Sequence, residues 1–354
     1  MSKYRVRRRG MESAETYLDL MRLSFDEKSV AQKAQALPWL LSRHPKGHPS
    51  GSFFLTLEYK DKIVGGAIVL AETVWLDGVE RPAFLPIGNH VHPDHRGRGL
   101  KMMKAMYDLS DTGVSMGIPN DKSFGVHRRF EASMSNLRTV RFRPYRAGTT
   151  LSRRRPRLST FEPVLNAVSS AGLGLMDLTA PRLGRGERIE RMDRFEADFD
   201  DFWRRARQNY AFLCVRSADR MNWRYHQAPF SDYVVDVLRR DEEIVGMVVS
   251  RVAERDGRKI GEISDILCLT PVSRDYALLL SVASRRLAKA GAEFGEFAFI
   301  GKHALNHAGR RSGFWFARRQ RRVVANGFGP RDGEIVPRRI NDLHFLRGDH
   351  DEDY

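Results

Sequence analysis

The segment Val91-His92-Pro93-Asp94-His95-Arg96-Gly97-Arg98-Gly99-Leu100-Lys101 joins two different periodicities. A β-rich run, 84–91, leads into it, and an apolar-periodic run over 99–112 leads out of it. A strand therefore turns through two glycines into a helix. The first turn of a helix carries unpaired N–H groups and the positive end of the helix dipole, which together hold anions. Gly97 and Gly99 let a ligand approach the backbone with no Cβ in the way, while Arg96, Arg98 and Lys101 add positive charge. The segment lacks the Lys-Ser/Thr ending of a Walker loop and the three-glycine dinucleotide spacing. A purely structural glycine turn on a basic surface has the same composition.

Working outward, residues 11–25 and 28–42 show helical periodicity, the second interrupted by Pro38. Residues 53–59 and 62–71 read as a hairpin closed at Lys60-Asp61. After the 99–112 helix comes a short strand over 114–118, then Pro119-Asn120. This is an α/β layout.

The second half repeats the order. Gly65 in DKIVGGAIV corresponds to Gly246 in DEEIVGMVV, Asp77-Gly78 to Asp256-Gly257, and Pro93 to Pro271, each pair about 180 residues apart. A helix over 274–290 and a strand over 294–300 complete the parallel. The expected organisation is a first domain over 1–150, a linker over 151–190 with one helix near 161–170, a second domain over 191–345, and a frayed acidic tail over 346–354.

With these elements in place, residues 4–146 resemble the GNAT superfamily of acyl-CoA-dependent N-acyltransferases. The likeness rests on the two early helices, the hairpin around Val64-Gly65, Val91-x-Pro-x-x-Arg96-Gly-x-Gly99, and the later strand ending at Asn120. The implied fold is an α/β mixed sheet built from two GNAT-like domains in tandem. The implied donor is acetyl-CoA or another acyl-CoA, with Arg96, Gly97, Arg98, Gly99, Leu100 and Lys101 at its pyrophosphate and Asn89 to Val91 facing the acyl group. Family members usually have Gly or Ala where Lys101 stands. They often show Asn, a small residue three on, and a tyrosine seven on that protonates the leaving thiolate. Here Asn120, Ser123 and His127 occupy those positions, so histidine replaces the tyrosine, and its ordinary pKa of about 6.5 suits a proton carrier.

Direct transfer requires a neutral amine and hence a proton acceptor. His90 and His92 lie two apart on a strand and share one face beside the expected acyl site; a local strand-end pair is the plainer reading. The second half has no phosphate loop, since Leu269–Tyr276 contains no glycine. Asp219–Tyr225, with its Trp-Arg-Tyr cluster, is similar to tandem-GNAT proteins of bacterial polysaccharide work. That likeness offers Trp223, Tyr225 and Asp265 as acceptor-binding residues, against a core reading for each. His303 and His307 are four apart but lack a third ligand, so no metal site is expected.

The net charge is +16, with its excess concentrated in the first half. It favours an anionic partner without choosing among a phosphorylated cofactor, an acidic glycan, nucleic acid and a membrane surface. Arg153–Arg155 reads as a solvated run or a patch for membrane or nucleic acid, and Arg318–Arg322 as a solvated strand. No membrane span and no signal peptide are evident, and Cys214 and Cys268 are too few for a disulfide framework. A cytoplasmic N-acyltransferase acting on a small or glycan-linked amine is the expectation, an amino sugar or polysaccharide precursor being the first candidate. The rivals are a Fem-type transferase using aminoacyl-tRNA and a non-catalytic GNAT-like module that binds CoA or another ligand.

Overall fold

The computed structural model describes residues 3–130, 133–135, 138–229, 232–301, 303–319, 323–327 and 339–350. The first half runs β1 (Tyr4–Arg9), α1 (Ala14–Arg22), α2 (Glu27–Leu41), β2 (Phe53–Tyr59), β3 (Lys62–Leu76), β4 (Val79–Val91), α3 (Gly99–Asp108), β5 (Val114–Gly117), α4 (Asp121–Arg129), β6 (Ser133–Ser135) and β7 (Thr139–Pro144). Two helices follow, α5 (Ala147–Arg154) and α6 (Glu162–Thr179). The second half begins with β8 (Glu187–Arg191), α7 (Ala197–Ala206), β9 (Phe212–Cys214) and α8 (Ala218–Met221), which widens into one looser turn over Asn222–His226. It continues through β10 (Val234–Arg240), β11 (Glu243–Arg255), β12 (Arg258–Cys268), α9 (Ser273–Lys289) and β13 (Phe294–Ile300). The last elements are α10 (His303–Arg311), β14 (Phe316–Arg319), β15 (Val323–Asn326) and β16 (Leu343–Leu346).

Local chemistry explains most of these boundaries. Asp26 caps α2 by accepting from the Ser29 amide at 2.8 Å. Pro38 does not interrupt that helix, contrary to the expectation: α2 is continuous to Leu41, with Val30, Ala36, Leu37 and Leu40 buried. A proline there removes one backbone bond, and burial of that apolar face offsets the loss.

The duplication is geometric as well as textual. Lys60-Asp61 and Asp241-Glu242 both have positive φ, as do Asp77-Gly78 and Asp256-Gly257, so each half folds its hairpins on the same two-residue left-handed turns. One extra residue bulges β3 where pairing passes from Leu57↔Gly65 to Glu58↔Ile63. The same bulge recurs in β11, between Leu238↔Gly246 and Arg239↔Ile244.

The halves are not self-contained, however. β7, from the first half, pairs with β13 and β14 of the second. β15, from the second half, pairs with β5 and β6 of the first. Each half thus completes its sheet with a strand of the other. One hydrophobic cluster draws Ile87 and Met116 together with Ile300, Ala325 and Phe345. β16 then bridges the halves, antiparallel to β13 and parallel to β9, which itself pairs with β3.

The end of the described chain differs from the expected tail. Arg347, Gly348 and Asp349 are buried, and Asp349 takes Arg216 Nη2 at 2.7 Å and Arg220 Nη2 at 3.3 Å. Arg220 also reaches Glu72 of β3 at 3.1 Å, and Arg216 reaches Asp265 of β12 at 3.1 Å. Buried ions need partners, and these acids and arginines supply one another across the two halves. Residues 351–354 lie outside the described residues, as do Arg321 and Arg322 of the basic run.

Candidate functional site

Strands β4 and β5 run parallel and pair only at Ala83↔Val114 and Phe84↔Ser115. Beyond that point they diverge, and among the described residues no strand pairs with β4 on this side past Phe84. A cavity of about 530 Å3 lies in the gap. Pro86–His90 form one wall, Ser115–Asn120 the other, and Met103, Met106 and Tyr107 of α3 line it from the helical side. Phe25 and the donated strand's Val324 and Ala325 also line it, with His350 from the far end of the described chain.

A second bulge shapes β4. Gly66↔His90 gives way to Ile68↔Ile87, so Gly88-Asn89 carries an extra residue. Gly88 has φ +58°, and its carbonyl accepts from the Tyr17 hydroxyl at 2.7 Å. A Cβ at Gly88 would lie 2.3 Å from that hydroxyl oxygen. Glycine is therefore required here for both conformation and space. The bulge carries Asn89, whose amide Nδ2 contacts Met103 Sδ at 3.2 Å, and His90, whose ring lies edge-on to Phe25 at 5.0 Å.

The turn above the cavity is a 3-10 segment, Pro93–Arg98, before α3 begins at Gly99. Neither Gly97 nor Gly99 has a positive φ. A Cβ on Gly97 would meet nothing within 4 Å, and one on Gly99 only Val91 Cγ2 at 3.4 Å. Their bareness thus serves neither a turn nor close packing. Arg96 and Arg98 are exposed, and Arg98 stacks over the Tyr4 ring. Lys101 donates to the Tyr4 carbonyl at 2.7 Å, which ties its ammonium to β1.

Asn120 and Ser123 make a helix cap. Asn120 Oδ1 accepts from the Ser123 amide at 2.8 Å, and the Ser123 hydroxyl donates to the Asn120 carbonyl at 3.2 Å. One face further on, Nδ1 of His127 is hydrogen-bonded to the Tyr107 hydroxyl. Burial lowers the His127 pKa to about 4, and it pushes the Tyr107 hydroxyl well up. The expected proton carrier is therefore a neutral ring at pH 7. Burial, with the Lys33 charge adding to it, also lowers His90 to about 4.

Of the residues singled out in the sequence, the cavity brings together Asn89, His90, Asn120, Ser123 and His127. Val91 and the Arg96–Lys101 turn lie outside its lining, as does His92, whose Nδ1 accepts from the Asp94 amide at 3.3 Å. Trp223, Tyr225 and Asp265 are buried elsewhere. Trp223 stacks on Trp39 at 4.5 Å and exchanges indole-to-carbonyl hydrogen bonds with it. Tyr225 donates to Asp265 Oδ2 at 3.1 Å. Tyr107, Phe25, Val324 and His350 were missed. Tyr107 is the one with a local signal, since it follows Met102, Met103 and Met106 on the same helix; the others reach the cleft through long-range topology.

The corresponding gap in the second half is filled. β12 and β13 pair over Ile260–Ile263 and then diverge, but β16 and the turn Arg347–Asp349 occupy the space. His344 Nε2 bonds the Ile266 carbonyl at 3.0 Å, and Arg347 reaches Glu262 and Glu296, each at 3.0 Å. A residual cavity of about 20 Å3 remains beside Tyr276 and His344.

No protein-family model matches the sequence, and no curated protein does. Solved structures do match. A conserved protein from Enterococcus faecalis V583, described as a probable N-acyltransferase, aligns over 92% of this chain and 72% of its own, with 15% identity and a TM-score of 0.60. A tandem GNAT protein from the clavulanic acid biosynthesis pathway aligns over 92% and 99%, with 12% identity and a TM-score of 0.53. Saccharomyces cerevisiae N-myristoyltransferase with bound myristoyl-CoA aligns over 92% and 82%, with 10% identity and a TM-score of 0.50. Splayed strands, a bare helix start and a repeated architecture agree with these likenesses: the chain has the tandem GNAT fold.

Proposed function

We propose that this protein moves an acyl group from acyl-CoA to a primary amine in the cleft between β4 and β5. The reading rests on one observation. A 530 Å3 cleft with a free strand edge lies below a helix start where a Cβ on Gly97 would meet open space and one on Gly99 only Val91 Cγ2 at 3.4 Å. The bound myristoyl-CoA of the yeast neighbour supports a coenzyme A thioester as donor. Acetyl-CoA is the first donor to try, and amino sugars or polysaccharide precursors are the first acceptors.

The residues present fit such a donor. The turn into α3, with Arg96 and Arg98, would hold the diphosphate, although the Gly99 amide itself donates to the Arg96 carbonyl, and Lys101 of α3 would add long-range charge from its ammonium's contact with β1. The free edge of β4 at Asn89–Val91 would pair with the amide-bearing arm, in the manner of an added strand. Asn120 and Ser123 shape the opposite wall. The donor supplies an activated acyl carbon; the chain's residues supply orientation and proton transfer. With Tyr107 donating to its Nδ1, neutral His127 carries its proton on Nε2 and so stands as a hydrogen-bond donor to the departing sulfur. His90 and His350 flank the acceptor end and pass the amine proton to water. His92 sits further out, at the strand end. This reading assigns no acceptor contact to Trp223, Tyr225 or Asp265, and no donor site to the filled second cleft.

The test is calorimetric titration of acetyl-CoA into the full chain and into a Gly97→Asp/Gly99→Asp variant. Alanine is a poor probe, because the space above Gly97 accepts a Cβ; a carboxylate repels a diphosphate. At ~100 times Kd, binding adds about 2.7 kcal/mol of stability, which a parallel melt detects. Binding in the parent that the variant loses supports the reading, and thiol release with an amine panel extends it to transfer. No binding by folded parent overturns it.

A further inference from the structure

Helix α6 is inside out. Glu162, Asn166 and Ser169 face the protein: Glu162 accepts from Thr149 Oγ1 at 2.8 Å and Ser152 Oγ at 2.6 Å, and Asn166 Oδ1 accepts from the Thr149 amide at 3.2 Å. Ser169 Oγ accepts from the Ala147 amide at 3.3 Å. Its apolar residues face outward: Val164 is 62% exposed, Val168 65%, and Phe161, just before the helix, 57%. Ala167 and Ala171 continue the same exposed face. A surface helix in water ordinarily shows the reverse arrangement. An outward apolar stripe of this kind marks an interaction site.

Charge surrounds the stripe. Arg155 and Arg157 are exposed immediately before α6, and Arg182 and Arg185 are exposed soon after it, with Leu183 exposed between them. Among the described side chains no acid lies on the outer face, since Glu162 turns inward to α5. The combination of an apolar stripe with arginines at both ends is that of a helix lying in the plane of an anionic bilayer. Self-association fits less well, because pairing two such faces would bring like-charged arginine clusters together. Among the described residues no helix is long and apolar enough to cross a membrane, so α6 would rest on the surface.

We propose that α6 and its flanking arginines dock this protein onto anionic lipid, independently of what the cleft does. Of the Arg153–Arg155 run, Arg153 pairs with Glu293 at 2.9 Å, and exposed Arg155 thereby gains a partner of defined chemistry.

Vesicle flotation of the full chain tests this, using phosphatidylcholine alone and phosphatidylcholine with about 30% phosphatidylserine. The expected result is flotation with the anionic vesicles only, reversed by salt near ~0.5 M. Val164→Glu/Val168→Glu places charge on the apolar stripe at solvent-exposed positions, so its melt should match the parent while its vesicle affinity falls roughly tenfold or more. Arg155→Glu/Arg157→Glu should lower affinity for the anionic vesicles to a similar extent, roughly tenfold. Failure of the folded parent to float overturns the proposal, as does flotation unchanged in either variant. A parent that is dimeric without lipid, and monomeric as Val164→Glu/Val168→Glu, with no vesicle binding, assigns the face to a second copy instead.

Discussion

The Tyr107 hydroxyl is hydrogen-bonded to Nδ1 of His127 at the wall of the cleft, linking α3 to α4. Burial raises the tyrosine and lowers the histidine, so both are neutral at pH 7. A neutral tyrosine hydroxyl can donate to a neutral ring or accept from it; in the acyl-transfer reading it donates to an unprotonated Nδ1, and the ring proton is then on Nε2. Replacement of Tyr107 by Phe removes that constraint on the tautomer without emptying the wall. Under the acyl-transfer reading, Tyr107→Phe lowers kcat about 10- to 100-fold while donor Kd stays within about twofold. His127→Gln should do the same, and the double variant should be little worse than either alone. Single-turnover kinetics beside binding calorimetry separates these quantities; full kcat in Tyr107→Phe removes the pair from the mechanism.

The same burial has a consequence for stability. His90 and His127 are lowered to about 4 and His344 to about 3, each mainly by desolvation. Unfolding returns each ring to its ordinary value near 6.5. Between pH 6.5 and 4 the unfolded chain binds more protons than the folded one, so stability falls as pH falls through that window and is fully present above it. Urea midpoints measured from pH 7 down to pH 4 should decline. The decline should be shallower in His127→Gln, and equal slopes in parent and variant would contradict the assignment.

How much of this was legible in sequence follows from interaction range. Lys60-Asp61 and Asp256-Gly257 announced their turns because a left-handed pair is a local requirement. The glycine turn before α3 was legible because a strand pattern gives way there to a helical one, and the repeat was legible from its nearly constant spacing. The strand exchange was not, because β7 and β15 carry the strand signal of their own halves while the partner is chosen by topology. Asp349 looked like part of a solvated acidic tail since its arginine partners, Arg216 and Arg220, lie some 130 residues earlier. Trp223 reads from its neighbours as either a groove or a core residue, and Trp39, some 180 residues earlier, covers its face and decides for the core. His350 entered the cleft wall by the same long-range route.

The buried ion cluster makes a sharp claim about Asp349. It serves two arginines that are essentially inaccessible, one of which also holds Asp265 and the other Glu72. Asp349→Ala leaves two buried guanidinium groups short of an acid, a change expected to cost about 3–5 kcal/mol. Chemical denaturation should show it as a large drop in midpoint. A loss within ~1 kcal/mol would mean that the arginines find water or another acceptor.

Reciprocal exchange predicts that neither half folds alone. A fragment of residues 1–150 keeps β5 but lacks β15, so it exposes a strand edge and part of the cluster around Met116. Alone it should aggregate or remain unfolded. Co-expressed with the remaining chain it should assemble into a one-to-one complex with the parent's circular dichroism. A monomeric, cooperatively melting 1–150 fragment would show that the donated strand is dispensable.

The β4 bulge offers a two-residue test of how the cleft is positioned. Gly88 sits at φ +58° with its carbonyl on the Tyr17 hydroxyl, and a Cβ there would collide with that hydroxyl at 2.3 Å while clearing the ring carbon at 3.6 Å. Gly88→Ala therefore combines a conformational cost with a clash, about 1–3 kcal/mol together. Tyr17→Phe alone loses one hydrogen bond, roughly 0.5–1.5 kcal/mol. In the double variant the clash disappears because the oxygen is gone, so the loss should be clearly smaller than the sum of the singles. Because the bulge carries Asn89 and His90, Gly88→Ala should also weaken acyl-CoA binding, and Tyr17→Phe should restore part of it in the double variant. Strict additivity in both stability and binding would mean that β4 relaxes at the bulge without involving Tyr17, and that helix α1 does not set the geometry of the cleft.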